Sequence, residues 1–468
     1  MAVFFRAIMR EIASIVDKYT ETTPIMEDKR LHNLERLLLR VSVIVEEADG
    51  RHIANKVMIH QLNLLRKEMY RGYFIADSLR SQGIEAKGSN VSHSFSLSKF
   101  NPAKRFFCST ADTHMEKDLQ QVLDNLNNIV EDVNGLVMFL RNYPPLYRQP
   151  YSMHLLIGKC MFGRQMEMER IMDFLMQKEH PGKGSVPVLP IVGPKYVGKS
   201  TLVAHVYNDA RVRNYFSQIL VITGDDIKNE NLATLKDRGV TIHQDNTLGK
   251  NEKLLAIIEF SGDVNEVTWN SLYSSSSVYC GEGSKMIITS RSNTIIKFGT
   301  TQALVLNFLP PEAYWYFFKI LTFGTAHSND HPRLESIGME IARELTGSFI
   351  GANVTSSILQ NHFSSQYWWR CLAHMRENIE INVSLFGEKT YDLIKKNKPA
   401  ISHISDGEFV VWIKHRTCRA GENVPVITVE DVIGGSVKYE GEFDVLAWKS
   451  HVLPYNSYIV RCMIEKSQ

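Results

Sequence analysis

Apolar residues recur at three- and four-residue steps through the first part of the chain. Leu31, Leu34, Leu38, Val41 and Val45 form one series, and Ile53, Val57, Leu64, Leu65 and Met69 form a second. Leu119, Val122, Leu126, Ile129, Val133, Leu136, Val137 and Leu140 form a third. Such spacing places one apolar stripe on each helix. Phe4, Phe5, Ile8, Ile12 and Ile15 share a looser face near the N-terminus. Four antiparallel helices over residues 1–143 would bury these stripes together. The Ser/Asn/Pro-rich stretch 88–104 is expected to be a long loop between the third and fourth helices.

The pattern then changes. A linker at 144–159 carries Pro144, Pro145 and Pro150. Beyond it, short apolar runs alternate with helical segments, which predicts a parallel α/β sheet. VPVLPIVG (186–193), QILVIT (218–223), KLLAIIEF (253–260) and SKMIITS (284–290) are the expected strands. The serine run 274–277 is expected to be a loop. Helical segments resume from about 311 to 380, and the Tyr367, Trp368 and Trp369 aromatics there read as core. From about 385, short alternating strands follow, with Phe443, Val445 and Ala447 alternating against Asp444, Leu446 and Trp448. The expected architecture is therefore multidomain. It has an N-terminal four-helix bundle (1–143), a linker (144–159), an α/β P-loop NTPase domain (160–305), a helical extension (306–384) and a small β-rich C-terminal module (385–468).

Composition narrows the class without deciding it. The 468 residues suggest about three domains at roughly 150 residues each. A hydrophobic fraction of 44% and a charged fraction of 22% are those of an ordinary globular protein, not a disordered or collagenous one. Net charge is +2, so no strong basic excess calls for nucleic acid. Cys108, Cys160, Cys280, Cys371, Cys418 and Cys462 are scattered, without a CxxC pair or a metal spacing, and read as free thiols in a reducing compartment. His403 and His451 have no ligand spacing and read as ordinary histidines. No apolar run reaches the length of a membrane span and the N-terminus lacks a signal-peptide core, so a cytoplasmic protein is expected.

One motif carries most of the chemistry. Residues 193–200 read Gly193-Pro194-Lys195-Tyr196-Val197-Gly198-Lys199-Ser200, the P-loop pattern, preceded by a strand-like run and followed by a helix-like one. In such a loop, backbone N–H groups form an anion nest and the following helix adds its positive end. Lys199 would reach the β- and γ-phosphates, Ser200 would ligate Mg²⁺, and Thr201 would touch the α-phosphate. Gly193 and Gly198 permit the tight backbone path, and Pro194 and Val197 complete the loop. A P-loop enzyme also needs an acidic strand end. Glu259 fills that place as a second Mg²⁺ contact and candidate catalytic residue, the alternative being a solvated strand-end carboxylate, and Phe260 stands where a second acid is expected. Asp263 follows further along the turn. Arg291, at the end of GSKMIITSRS, would sense the terminal phosphate.

These pieces, in this order, resemble the NB-ARC nucleotide-binding switch of plant disease-resistance receptors. The carriers are PIVGPKYVGKSTLVAHVYND, GSKMIITSRS and LNFLPPEAYWYFFK (306–319). CMFGRQMEMERIMDFLM (160–176) is similar to the segment before the P-loop, where Phe162, Gly163 and Arg164 would border the adenine. Residues 1–143 resemble the coiled-coil (Rx-type) domain of a divergent, grass-type subgroup, in which the first helix can insert into membranes; bundle core is the preferred reading here. The chain departs from the family at Phe260, at GSFIGA (347–352) in place of the GLPLA-like turn, and at YRGYFIAD (70–77), which has lost most acids of its motif. The winged-helix His-Asp pair and leucine-rich repeats are not recognisable. The resemblance implies an intracellular ADP- or ATP-binding switch in plant defence, of truncated or helper type, with Mg²⁺ and at most weak ATP hydrolysis. Its partners would be other proteins met through the N-terminal bundle, by self-association or in a paired receptor. The alternatives are an active P-loop ATPase and a nucleotide-free scaffold or decoy.

Overall fold

In the computed structural model the described residues are 26–88, 117–131, 139–140, 143, 161–177, 186–223, 240–244 and 253–466, apart from 52, 54, 261, 280, 405–407, 419–421, 438 and 440. They fall into two compact units, Met1–Met153 with His327–Ser336, and His154–Ala326 with Ile337–Gln468. The Phe4–Ile15 face, the 88–104 loop beyond Gly88, Val133, Leu136 and Val137, the 144–159 linker, and Cys108, Cys160 and Cys280 lie outside the described residues. Among the described residues no helix is long and apolar enough to cross a membrane.

In the first unit, α1 (Met26–Asp49) and α2 (Lys56–Gly88) run antiparallel. Arg80 meets Glu35 at 2.8 Å near one end, and Arg66 pairs with Asp49 near the other. Residues 117–131 are helical and antiparallel to α2, with Arg71 3.2 Å from Asp118 and Asn125 Nδ2 donating to Glu68 at 3.1 Å. Leu34, Leu38, Val41 and Val45 are buried as their spacing predicts, as are Leu119, Val122 and Leu126. The second series is different. Ile53, Leu65 and Met69 are buried, but Val57 and Leu64 are exposed, and the buried stripe of α2 runs through Met58, Leu62, Leu65 and Met69. A Cβ at Gly72 would lie 2.7 Å from Leu38 Cδ2 and 3.5 Å from Leu126 Cδ1, so this glycine lets three helices close on one another. Asp77, the acid kept in YRGYFIAD, is fully buried and paired with Arg80.

The second unit is built on a six-stranded sheet. Its strands are β1 (Val188–Val192), β2 (Gln218–Thr223), β3 (Val240–Gln244), β4 (Leu254–Glu259), β5 (Lys285–Ser290) and β6 (Leu304–Val305), in the order β3-β2-β4-β5-β1-β6. All neighbours are parallel except the edge strand β3, which pairs antiparallel with β2. The expected strands are present; β3 and β6 are additional edge strands. β1 and β5 are buried along their whole length, which is why they read as unbroken apolar runs. α3 (Gln165–Met176), α4 (Lys199–Asn208) and α5 (Ala210–Tyr215) cover one face, around Leu189, Ile191, Ile257 and Ile287. α6 (Glu266–Tyr279) covers the other, where Trp269 and Leu272 meet Val188, Val192, Ile258 and Ile288. The serine run 274–277 is thus helical, not a loop. Packing of the first half of α6 on the sheet outweighs the weak helix propensity of serine.

A helical group follows: α7 (Pro311–Phe323), α8 (Pro332–Glu344), α9 (Phe349–Asn361), α10 (Ser365–Phe386) and α11 (Thr390–Lys395). Helix therefore continues past 385. Trp368 is fully buried in α10 while Trp369 is exposed, so only the first is core. Strands begin again at β7 (Ala400–His403), then β8 (Glu408–Cys418), a short α12 (Val429–Ile433), β9 (Glu442–Lys449) and β10 (Ser457–Lys466). They form an antiparallel sheet in the order β7-β8-β10-β9, with Val410, Trp412, Phe443, Val445, Val460 and Cys462 in its core.

Candidate functional site

The P-loop leaves the sheet at the C-terminal end of β1, between β5 and β6. The register sets Val192 opposite both Ser290 and Val305, and Leu306 N donates to Val192 O at 2.7 Å. Gly193 emerges into a space with no room for a side chain, because a Cβ there would lie 2.5 Å from the Leu306 carbonyl oxygen. Tyr196 has φ +63° and Gly198 φ +95°, left-handed positions of the kind that gather amide N–H groups around an anion. Val197 is fully buried and pins the loop to the sheet's core. α4 opens at Lys199, with Ser200 and Thr201 half-buried in its first turn. Gly193, Pro194, Val197, Gly198, Lys199, Ser200 and Thr201 thus form one continuous loop-and-helix start.

Cations converge on this loop. Lys199 Nζ donates to the Gly193 and Pro194 carbonyls at 2.7 and 2.8 Å. Burial first and the like charge of Arg291 second push the Lys199 ammonium down to about 8, with Glu259 opposing. Lys195 is likewise lowered to about 8 by burial and then by Arg291. Arg291 follows β5 directly and so shares the loop's edge of the sheet. Lysines depressed by burial and a like charge gain from any anion placed among them. A diphosphate fits that deficit, and the loop backbone has the shape to receive it.

Glu259 is half-buried at the end of β4, level with Thr289. It is near enough to influence Lys199, as a Mg²⁺-side carboxylate must be. With the Ser200 hydroxyl it offers oxygen donors that suit Mg²⁺. Phe260 turns the other way. Its N–H donates to Thr289 O at 2.8 Å and its ring is buried in the cluster holding Trp269 and Phe298. Asp263 is exposed and accepts from Thr294 Oγ1 at 3.2 Å, and its hydrogen bonds to Ser292 and Thr294 hold it below the usual carboxylate range. It braces the turn after β5.

The segment before the P-loop is brought against 306–319. Phe162 is buried, with its ring centroid 5.4 Å from Phe317 and 6.2 Å from Tyr316. Gly163 has φ +69°, and a Cβ on it would meet Leu309 at 3.1 Å. Arg164 is buried, paired with Glu167 at 3.0 Å and donating to Asn307 O. Tyr314 OH donates to Ser348 O at 2.8 Å, tying α7 to the GSFIGA turn. There Ser348 caps α9 by accepting from Gly351 N at 3.0 Å, so the helix starts without a proline.

The C-terminal sheet supplies neighbours that sequence reasoning missed. Tyr458 of β10 meets the Tyr196 ring edge-on at 6.2 Å and stacks on Trp448 of β9 at 5.6 Å. Burial first and Glu259 second raise Tyr458 to about 12. His415 of β8 is pushed down to about 4 by burial and then by Lys195. Alternation along β8 and β10 marks these residues only as half-buried strand positions. Nothing in their spacing points to a loop more than 200 residues away in sequence.

Comparison with known proteins falls on the same region. Residues 164–327 match the NB-ARC domain. The match takes in the P-loop, Glu259, Arg291 and the whole of α7. An NB-ARC domain implies a nucleotide ligand, typically with Mg²⁺. Disease resistance protein RGA2 of Solanum bulbocastanum is 22% identical over 360 residues, 74% of this chain and 35% of that protein. Disease resistance RPP13-like protein 4 of Arabidopsis thaliana is 21% identical over 328 residues, 64% of this chain and 36% of that protein. The chain thus spans about a third of the length of these relatives.

Proposed function

We propose that this chain is a nucleotide-operated switch in plant defence signalling, holding ADP or ATP with Mg²⁺ on the P-loop. The observation that carries the reading is the convergence of Lys195, Lys199 and Arg291 on a loop whose backbone is shaped for an anion. Similarity of the NB-ARC segment to disease-resistance proteins supports the biological setting. Lys199 and the loop amides grip the phosphates, Ser200 and Glu259 hold Mg²⁺, and Arg291 reads the terminal phosphate. Phe162, Gly163 and Arg164, seated against α7, border the base. Hydrolysis is at most slow, because Phe260 serves the core and leaves no second acid beside Glu259. The helical unit, of coiled-coil Rx type, carries the signal to other copies or partner proteins inside the cell. A switch operates only through different affinities of its two states for the two ligands.

Calorimetry with ADP and ATP in the presence of Mg²⁺, paired with a turnover assay, tests the reading. Tight binding with slow turnover is expected, and Lys199→Arg abolishes binding. Ordinary enzymatic turnover would make the protein an ATPase, and absence of binding would leave a scaffold.

A further inference from the structure

Away from the P-loop, α10 and β7 bring together His374, Glu377 and His403. One ligand atom from each lies within 4.8 Å of the others, and His403 Nδ1 is 4.0 Å from Glu377 Oε1. We propose that these three side chains form a binding site for a divalent transition metal of the zinc type, with a fourth position open to water.

The sequence hides the site because its ligands come from different elements. His374 and Glu377 stand three residues apart on α10 and so share a face. His403 arrives from the last residue of β7, in a pairing that His451 has no part in. The two elements are fastened beside the ligands. Asn378, next to Glu377, accepts from His403 N at 2.9 Å through its side-chain oxygen. One turn on, Asn382 accepts from Ile401 N at 2.9 Å and donates to Ile401 O at 2.6 Å. Both asparagines are buried. The backbone carrying His403 is thereby held at a fixed distance from the helix, which is the support a ligand set needs. Phe409 packs edge-on against the His403 ring at 5.2 Å.

The donor chemistry agrees. His374 Nε2 is buried and has no hydrogen-bond partner, an uncommon state that a metal or its bound water would resolve. Two imidazoles and a carboxylate suit Zn²⁺, whose tetrahedral ligands stand about 3.4 Å apart at Zn–N bonds of about 2.1 Å. Ligand atoms within 4.8 Å of one another need to close by up to about 1.4 Å, through rotation of the exposed Glu377 side chain and of the two imidazoles.

The test uses the full chain, free of nucleotide and chelator, with Zn²⁺ in calorimetry and Co²⁺ in visible spectroscopy. One equivalent is expected to bind, and Co²⁺ is expected to show the intense d–d bands of four- or five-coordination. His403→Gln and Glu377→Gln should each weaken Zn²⁺ binding by about tenfold or more, while His451→Gln leaves it unchanged. Glu377→Gln alters an exposed residue, so circular dichroism should show its fold intact. Absence of Zn²⁺ binding at micromolar concentrations, or equal affinity in wild type and both ligand variants, would overturn the proposal.

Discussion

The Tyr458 ring stands edge-on to Tyr196 at 6.2 Å, so a strand of the C-terminal sheet rests on the middle of the P-loop. Tyr196 is held at φ +63°, a costly position for a residue with a side chain. An aromatic edge contact of this kind contributes about 0.5–1.5 kcal/mol beyond the area it buries. Tyr458→Ala is expected to loosen the loop and speed release of a fluorescent ADP by about two- to tenfold. Tyr458→Phe keeps the ring and should release at the wild-type rate. Stopped-flow displacement by unlabelled ADP measures both, and equal rates in all three proteins would remove Tyr458 from any control of the site.

Nucleotide affinity should fall as pH rises through the range in which Lys199 and Lys195 titrate. In the free protein burial and Arg291 bring both lysines down to about 8. A phosphate beside them favours the charged form, so binding raises their pKa and takes up protons. Affinity is therefore fully present well below pH 8 and is lost above it. Stability of the free protein runs in the other sense. The folded pKa lies below the unfolded value of 10.5, so the unfolded chain binds more protons between the two, and these groups favour folding increasingly from about 8 to 10.5. Calorimetry of ADP binding in a pH series checks the first claim. Arg291→Gln removes the like charge and should move the midpoint to higher pH.

The P-loop, the strands around it and Glu259 were legible because each follows from local chemistry. A buried parallel strand is an unbroken apolar run, and an anion loop needs glycine where a Cβ would strike the backbone, as at Gly193. Three things were not legible. In and before α2 the spacing correctly marks Ile53, Leu65 and Met69 as buried but not Val57 and Leu64, which are apolar yet exposed. The helical serines at 274–277 owe their conformation to the packing of Trp269 and Leu272, not to their own preference. Contacts of Tyr458 and His415 with the P-loop arise from how two sheets meet, and no short window of sequence contains both partners.

Phe260 offers a direct test of why the second acid is missing. Its ring is 8% exposed, among Trp269, Phe298 and the β4–β5 core. Phe260→Asp restores the family's acidic pair in composition, but it removes a core aromatic and places a carboxylate in an apolar pocket. Loss of the ring alone costs about 3–5 kcal/mol. The variant is expected to show a lower urea midpoint and no gain in ATP turnover. A stable Phe260→Asp protein with raised turnover would mean that the side chain can swing toward the P-loop.

Asn382 is the polar fastener whose loss should be felt most. It is fully buried, and its amide nitrogen donates to Asn378 O at 2.7 Å, Ile401 O at 2.6 Å and Thr390 Oγ1 at 3.2 Å. Its oxygen accepts from Ile401 N at 2.9 Å. One side chain thus satisfies the backbone of β7 and links α10 to the start of α11. In Asn382→Ala the half-buried Ile401 N–H and C=O lose this partner, at a cost of up to about 1–3 kcal/mol for each unsatisfied group. Asn382→Asp keeps the acceptor but loses the donors and sets a carboxylate against the Asn378 and Ile401 carbonyls, so it should be at least as harmful near neutral pH. Protonation of that carboxyl in acid restores one donor, which makes the Asp variant's deficit shrink as pH falls while the Ala deficit stays level. Urea titrations of the three proteins across a pH series distinguish these outcomes, and parallel curves for Ala and Asp would show that the hydrogen bonds of Asn382 do not hold α10 to β7.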